Sequence, residues 1–296
     1  MDNLQSIECS NFLTMTSKSI DLDNKCLRAN MKNYIVMKQV VLTLLLVVFG
    51  FTFTVSAQKQ YMELFNGENL DGWYIFLKGR GVNSDPNKVF TVKKGNIVIS
   101  GEEFGCITTN EEFENYKLTV DFKWGKRTFA PREKRARDSG ILIHSVGADG
   151  AKGGNWMYSI ECQLIEGGTG DILVVGDGSD KFAATSTVKR GAGEGSYFYH
   201  NEGEEVTFHG GRIDWHSRDT RWEDRKDFRG ANDVENPVGT WNRVECYVNG
   251  SDLVIYLNGK FVNRAYNIKP QKGKIQIQSE GAELFIRKVH LAKLNW

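Results

Sequence analysis

The 296-residue sequence has almost no charge imbalance: 38 Lys and Arg stand against 37 Asp and Glu, a formal net charge of +1 at pH 7. That balance removes any broad electrostatic case for nucleic acid or an anionic membrane as a partner. Cysteine is scarce. Of five in the chain, only Cys106, Cys162 and Cys246 lie beyond residue 57, an odd and low number that excludes a disulfide-built scaffold. Cys162 and Cys246 alternate with polar neighbours, which predicts buried free thiols. Helical periodicity is nearly missing after residue 58. No internal repeat and no Pro-rich or Ser-rich linker divides the chain. Familiar catalytic signatures are missing as well: there is no Gly-x-Ser-x-Gly elbow, phosphate loop or dinucleotide fingerprint.

One long apolar run is present. Met37-Lys38-Gln39 leads into residues 40–55, which carry no charge, and Val55-Ser56-Ala57 then precedes Gln58. A basic start, an apolar run and a small-residue box predict a signal peptide over residues 37–57, and so an exported protein, periplasmic or extracellular. The run is also long enough to enter a bilayer. Small residues follow it directly and no basic stop-transfer cluster does, so stable membrane insertion is not expected. Gln58 in place of Cys argues against a lipid-anchored terminus. Residues 1–36 are polar and aperiodic and precede plausible starts at Met31 and Met37; they read as a non-native or disordered leader extension. Residues 58–296 have a length that β-sandwiches commonly fill as a single domain.

Alternating segments punctuated by Gly and Asn fill that remainder. Residues 89–92 and 97–99 flank Lys93-Lys94-Gly95-Asn96 as a hairpin. Along residues 117–124, Leu118, Val120, Phe122 and Trp124 share one face and Lys117, Thr119, Asp121 and Lys123 the other. Further strands are expected over 140–145, 157–165, 206–209 and 241–248. Asn249-Gly250 and Asn258-Gly259 then turn the chain through 253–257 and 260–265, the strongest short-range hairpin signal a sequence offers. Residues 274–278 and 283–291 close it. Many short antiparallel strands without helical crossovers imply an all-β, two-sheet antiparallel sandwich or jelly roll. Residues 125–138, rich in Lys and Arg, and residues 210–237, holding Trp215, His216 and Trp222, read as long loops, a common place for binding rims.

Side chains alternate sides along a strand, so Glu161 and Gln163 face together, as do Gln276 and Gln278, and Asp121 and Lys123. His144 is expected beside Leu142. Amides and carboxylates on one face suit sugar hydroxyls, because they both donate and accept. Trp156, Trp215 and Trp222 are candidate stacking platforms. The spacing of His209 and His216 matches no compact metal signature, and Asp177-Gly178-Ser179-Asp180 lacks the rest of a calcium loop. Glu161-Cys162-Gln163-Leu164-Ile165-Glu166 has Gln where sandwich glucanases carry a middle acid. The odd spacing of Glu161 and Glu166 sets them on opposite faces, which disfavours a two-carboxylate glycosidase.

Leu64-Phe65-Asn66-Gly67-Glu68-Asn69-Leu70-Asp71-Gly72-Trp73 opens a series that resembles the 3-keto-disaccharide hydrolase family, with its concanavalin-like sandwich. Phe113-Glu114-Asn115-Tyr116-Lys117-Leu118, Ser139-Gly140-Ile141, Glu161-Cys162-Gln163, Gly239-Thr240-Trp241-Asn242, Leu257-Asn258-Gly259 and Gly273-Lys274-Ile275-Gln276-Ile277-Gln278 continue it. The chain departs from that family's pattern at Asp138 (often Asn), at His144 (often Arg) and at Glu280 (often His). What the resemblance implies is cleavage of sugars already oxidised at C3, by removal of the C2 proton, loss of the C1 substituent and hydration of the enone. Glu161 or His144 is then the expected base, with Lys123 polarising the ketone. Gln163, Gln278, Gln276, Asp121, Glu280 and Trp215 are the expected sugar contacts. A divalent cation is a candidate enolate stabiliser, and an upstream sugar 3-oxidoreductase is the implied partner. A non-catalytic carbohydrate-binding module and a structural cell-surface domain remain as alternatives.

Overall fold

The computed structural model describes residues 28, 31–39, 61–193 and 195–294. They belong to two units, residues 1–59 and residues 60–296. In the first, residues 31–39 form an exposed helix, so the segment read as a structureless leader is helical at its end. Most of the expected signal peptide, residues 40–57, lies outside the described residues. No described helix is long and apolar enough to cross a membrane.

The second unit is a sandwich of two antiparallel sheets. The front sheet is built from β2 (Trp73–Leu77), β3 (Gly81–Val82), β6 (Gly105–Thr109), β8 (Asp138–Val146), β9 (Tyr158–Ile165), β10 (Ile172–Val175), β14 (Gly211–Ile213) and β18 (Lys274–Ser279). Its spatial order is β14-β10-β9-β8-β18-β6-β2-β3. The back sheet holds β1 (Tyr61–Glu63), β4 (Phe90–Lys93), β5 (Asn96–Ile99), β7 (Tyr116–Thr128), β11 (Ala183–Arg190), β12 (Tyr197–Tyr199), β13 (Glu204–Phe208), β15 (Asn242–Asn249), β16 (Asp252–Leu257), β17 (Lys260–Lys269) and β19 (Ala282–Lys293). Its main path runs β12-β11-β17-β16-β15-β7-β19-β5-β4, with β1 on β19 and β13 on β11.

Period-two alternation produces the core. Ile160, Cys162 and Leu164 of β9 and Ile275 and Ile277 of β18 face inward from the front sheet. Leu118, Val120, Phe122 and Trp124 of β7 and Val244, Cys246 and Val248 of β15 meet them from the back. Cys162 and Cys246 are buried and free, as their alternation predicts. Both Asn-Gly turns form hairpins: β15 pairs with β16 from Val244↔Leu257 to Asn249↔Asp252, and Leu257↔Lys260 closes the next. Asn258 and Gly259 have φ of 51° and 78°, the left-handed pair that such two-residue turns require.

The two expected loops differ from their sequence reading. Residues 125–128 continue β7, and residues 211–213 form β14. The remaining stretches dock on one another. Asp224 accepts from Arg132 Nη1 at 3.1 Å and from the Ala136 amide at 3.1 Å. Arg137 Nη1 donates to Glu166 at 2.6 Å and to Asp227 at 2.8 Å, while its Nε donates to the Gly125 carbonyl. Glu166 is therefore committed to holding the loops. Its side chain and that of Arg137 are 5% and 3% exposed, so removing one partner leaves a charge without water or counter-ion. Arg137→Ala is expected to lower unfolding free energy by about 3–5 kcal/mol, measured by chemical denaturation; a change near zero would show that the pair does not hold the loops.

Candidate active site

The outer face of the front sheet collects polar groups that the strands would normally give to water. Glu161 and Gln163 project from β9, Gln276 and Gln278 from β18, and all four are 4% exposed or less. Room for them comes from Gly140 on β8. A Cβ at that position would collide with Glu161 Oε1 and Gln278 Oε1, so the missing side chain is what lets the carboxyl and the amide lie side by side. Gln278 Oε1 has no hydrogen-bond partner among the described residues.

Burial is the main force on Glu161. It raises the pKa to about 8; the Asp138 charge adds to this, and Arg212 and Gln278 oppose it. Asp138, at the start of β8, is raised to about 6, again chiefly by burial and against the pull of Arg132 and Arg212. Asp138 accepts from Gln163 Nε2 at 2.5 Å and pairs with Arg132 Nη2. Glu280 stands at the rim, 3.8 Å from Arg132 Nη2. Burial and the Asp138 and Glu161 charges raise its pKa as well. Arg212 of β14 completes the cluster, donating to Gln163 Oε1 at 3.3 Å and to Asp171 Oδ2 at 3.4 Å. Three carboxyls thus share two guanidiniums, and burial biases Glu161 toward its protonated form.

Beside this polar half lies an apolar one. Cys106, Leu142, Trp156 and Val175 form a second buried cluster with Phe76, Phe104 and Leu173 packed against it. The Trp156 and Phe104 rings are 6.4 Å apart. Phe76, Phe104 and Leu173 keep part of their surface exposed beside the amides and carboxyls, an apolar-and-polar pairing that suits a sugar ring.

The structure gathers Glu161, Gln163, Gln276, Gln278 and Glu280 on this face, but Gln276 is committed within it. Its Oε1 accepts from the Met157 amide at 3.1 Å and its Nε2 donates to Thr108 Oγ1 at 3.0 Å. Four expected residues are elsewhere. His144 does not stand beside Leu142: its φ is 52° and the β8–β9 register shifts between Ile143 and Val146. The ring turns to meet Tyr116 edge-on at 5.7 Å, and Nδ1 faces the Pro270 carbonyl at 2.8 Å. Lys123 and Asp121 lie on the outer face of the back sheet. There Lys123 Nζ sits 4.8 Å over the Trp241 ring, and Asp121 binds Arg243 at 2.7 Å and Arg287 at 3.2 Å. Trp215 is 2% exposed and belongs to the main core. Alternation tells which residues leave the core, but not which of two outer faces they reach.

Arg132 and Arg212 escaped the sequence reading. They sit in, or at the edge of, segments read as loops, and only a surplus of Arg and Lys in residues 125–138 pointed there. A divalent cation does not fit this donor set. Among the described residues no three His, Cys, Asp or Glu side chains converge to hold a metal, and Asp138 and Glu280 already face Arg132.

The model of the 3-keto-alpha-glucoside-1,2-lyase-like domain, the 3-keto-disaccharide hydrolase family, matches residues 60–292. The chain belongs to this family. Curated proteins yield no match. Among solved structures, a candidate glycosyl hydrolase from Parabacteroides distasonis is 18% identical with a TM-score of 0.47, covering 79% of this chain and 94% of that one. A β-glucanase from Bacillus licheniformis is 13% identical with a TM-score of 0.42, covering 79% and 97%. A carbohydrate-binding module from Bacillus subtilis is 10% identical with a TM-score of 0.39, covering 74% and 93%. None of these likenesses bears on activity.

Two expectations follow from the Gly140 notch and the buried acid. Gly140→Ala forces Glu161 and Gln278 apart. It is expected to cost about 1–3 kcal/mol of stability, as overpacking does, and to weaken ligand binding at the face at least tenfold. Unchanged binding in calorimetry would show that the notch is only a packing detail. The second concerns pH. Glu161 has a folded pKa of about 8 against 4.5 for its ordinary value, so the folded state holds its proton more tightly. The stability this provides is complete below the ordinary value and is lost as pH rises through about 8. The slope for one proton is up to about 1.4 kcal/mol per pH unit. Glu161→Gln should remove that slope, so wild type and variant melting curves should diverge between pH 5 and 8; parallel curves would contradict a buried, protonated carboxyl.

Proposed function

We propose that this chain cleaves 3-keto-glycosides by elimination and hydration, outside the cytoplasm, with Glu161 as the acid–base group. The observation that carries this reading is the Glu161 carboxyl, buried among Gln163, Gln278 and Gly140 on the outer face of the front sheet and perturbed to about 8. A catalytic base works best with a pKa near the working pH, and ordinary carboxyls must be buried to reach it. The family to which the chain belongs supplies the substrate class.

A ketone at C3 acidifies the C2 proton. Ionised Glu161 removes that proton, and the C2–H electron pair becomes the enolate. Arg212 and Arg132 provide the fixed positive charge that favours this anion in a face sheltered from water. The enolate then expels the C1 oxygen substituent, forming the C1–C2 double bond. The proton held by Glu161 passes to the leaving oxygen, which departs as an alcohol. Water adds its hydroxyl at C1 and a proton at C2, so the sum is hydrolysis. Gln163 and Gln278 orient hydroxyls through their amides. The substrate must already carry the ketone, so an oxidoreductase acting at C3 of the sugar is the implied upstream partner.

A second reading is favoured by one observation. The apolar cluster around Trp156 and Phe104 also suits a carbohydrate-binding face that performs no chemistry. The two are separated by incubating the protein with a 3-keto-glucoside and with its unoxidised parent, following alcohol release and enone absorbance. Release from the keto sugar alone is expected, with kcat/KM rising along a single limb that levels off above pH about 8. Glu161→Gln should reduce kcat by roughly 10²–10⁴-fold. Equal release from both sugars would rule out elimination, and sugar binding without release would favour the binding face.

A further inference from the structure

The outer face of the back sheet, on the far side of the sandwich from Glu161, gathers cations. Lys123 of β7, Arg243 of β15 and Arg287 and Lys288 of β19 meet around a single carboxylate, Asp121. In a chain with a net charge of +1, this is a local excess of positive charge. The register of β19 produces it. Ile286 pairs with Phe122 and Lys288 with Asp121, so Arg287 is an extra residue on that strand, a β-bulge. Regular alternation from Ile286, a core residue, would turn position 288 inward. The bulge passes the inward place to Val289 and leaves two successive basic residues, Arg287 and Lys288, on the outside.

Asp121 aims the arginines. Its buried carboxylate accepts from Arg243 Nε at 2.7 Å and Nη2 at 3.0 Å, and from Arg287 Nε at 3.2 Å. The two arginine side chains stay 46% and 47% exposed. Among the described residues no acceptor meets Nη1 of Arg243 or either Nη of Arg287, so both forks keep donors for a ligand. Half-buried rings lie in the same patch. Lys123 Nζ is 4.8 Å over Trp241 and 5.2 Å over Phe285, and Arg287 is 4.5 Å over Trp241. Lys93, paired with Asn96 of β5, extends the cations to β4. From Lys93 across β5, β19 and β7 to Arg243 is four strand spacings, about 19 Å, the reach of a polymer rather than of one ring.

We infer that this face is a docking surface for an acidic polysaccharide, a polymer bearing uronic-acid carboxylates, separate from the front-sheet site. Guanidinium forks grip planar carboxylates through paired hydrogen bonds, and the rings beside them suit the C–H faces of sugars. Nucleic acid draws its affinity from the neutralisation of many phosphates, which so few cations cannot supply. A bilayer surface reads net charge and gains nothing from the buried Asp121, which lowers it. What Asp121 adds is direction. The inference stands apart from the chemistry at Glu161.

Titration calorimetry with galacturonate oligomers, and with dextran oligomers as the neutral counterpart, reads this surface. The wild type is expected to bind oligogalacturonate at least tenfold more tightly than dextran, and added salt should weaken that binding. Lys123→Gln with Lys288→Gln removes two charges without baring Asp121 and should weaken it at least tenfold. Lys78→Gln with Lys181→Gln makes the same charge change next to front-sheet strands. That pair, and Glu161→Gln, should leave binding within about twofold. Asp121→Asn with Arg243→Gln and Arg287→Gln removes both forks together with their counter-charge, so no unpaired charge stays buried. With its fold confirmed by circular dichroism, this triple variant should lose the preference over dextran. No preference in the wild type, equal loss in the two lysine pairs, or loss with Glu161→Gln overturns the inference. Tighter binding of duplex DNA or of phosphatidylglycerol vesicles than of oligogalacturonate overturns it too, and assigns the patch to that polyanion.

Discussion

Burial of the Glu161 carboxyl is the constraint around which the outer face of the front sheet is arranged. A carboxyl taken out of water needs either a proton or a counter-charge, and this face supplies conditions for both. Gly140 gives the space, because any larger residue would occupy the position of the carboxyl itself. Gln278 lies against the carboxyl, and its hydrogen bond, like the Arg212 charge, favours the ionised form. Arg212 supplies a positive charge that opposes the effect of burial. The balance sets the acid near neutrality, where a small change in surroundings decides its state.

Neither guanidinium belongs to the strands that carry the carboxyl, and this explains why so many other ion pairs serve the site indirectly. Arg132 comes from the segment between β7 and β8 and is held on Asp138 and Asp224. Asp224 belongs to the long segment after β14, which is fastened by Arg137 to Glu166 and Asp227. On the other side, Asp171 accepts from the Trp215 amide and binds Arg218 and Arg212. Glu235 closes the far end, accepting from Trp124 Nε1 at 2.6 Å and from Thr169 at 2.8 Å. Pairs of this kind are weak contributors to net stability compared with apolar replacements. Their use here is positional: they keep two arginines over one sheet face.

Much of the sandwich was legible because strands with one buried face write their period into the sequence. β7, β15, β18 and the two Asn-Gly hairpins alternate cleanly and carry the required turn residues. β6 was not legible in this way, since all five of its residues are buried and no alternation remains. The same rule located half of the site. Glu161 and Gln163 share a face because their spacing is even, and Gln278 is set opposite the core by its alternation with Ile277 on β18. It failed at His144, where a positive φ and a register shift break the period, and at Lys123 and Asp121, whose alternation is equally regular but belongs to the other sheet. Trp215 looked like a rim residue in a polar segment. Its ring is instead the apolar anchor that draws that segment into the core.

The acids at positions 138 and 280 both lie within the field of Glu161. Asn at 138 would still accept a hydrogen bond from Gln163, but it would bring no charge to repel the Glu161 carboxylate. Asp138 does repel it, and it also binds Arg132 strongly enough to fix that side chain across the face. Glu280 adds a third acid at the rim, 3.8 Å from Arg132 Nη2, and its own pKa is raised by burial and by these neighbours. The consequence is a site whose proton affinity is shared among neighbours rather than set by one residue. Of the three carboxyls only Glu280 keeps appreciable contact with water, so a ligand docked at the rim would desolvate Glu280 and strengthen its pull on Arg132. In this chain, then, Asp138 raises the pKa of the acid on β9 while leaving its place in the sheet unchanged.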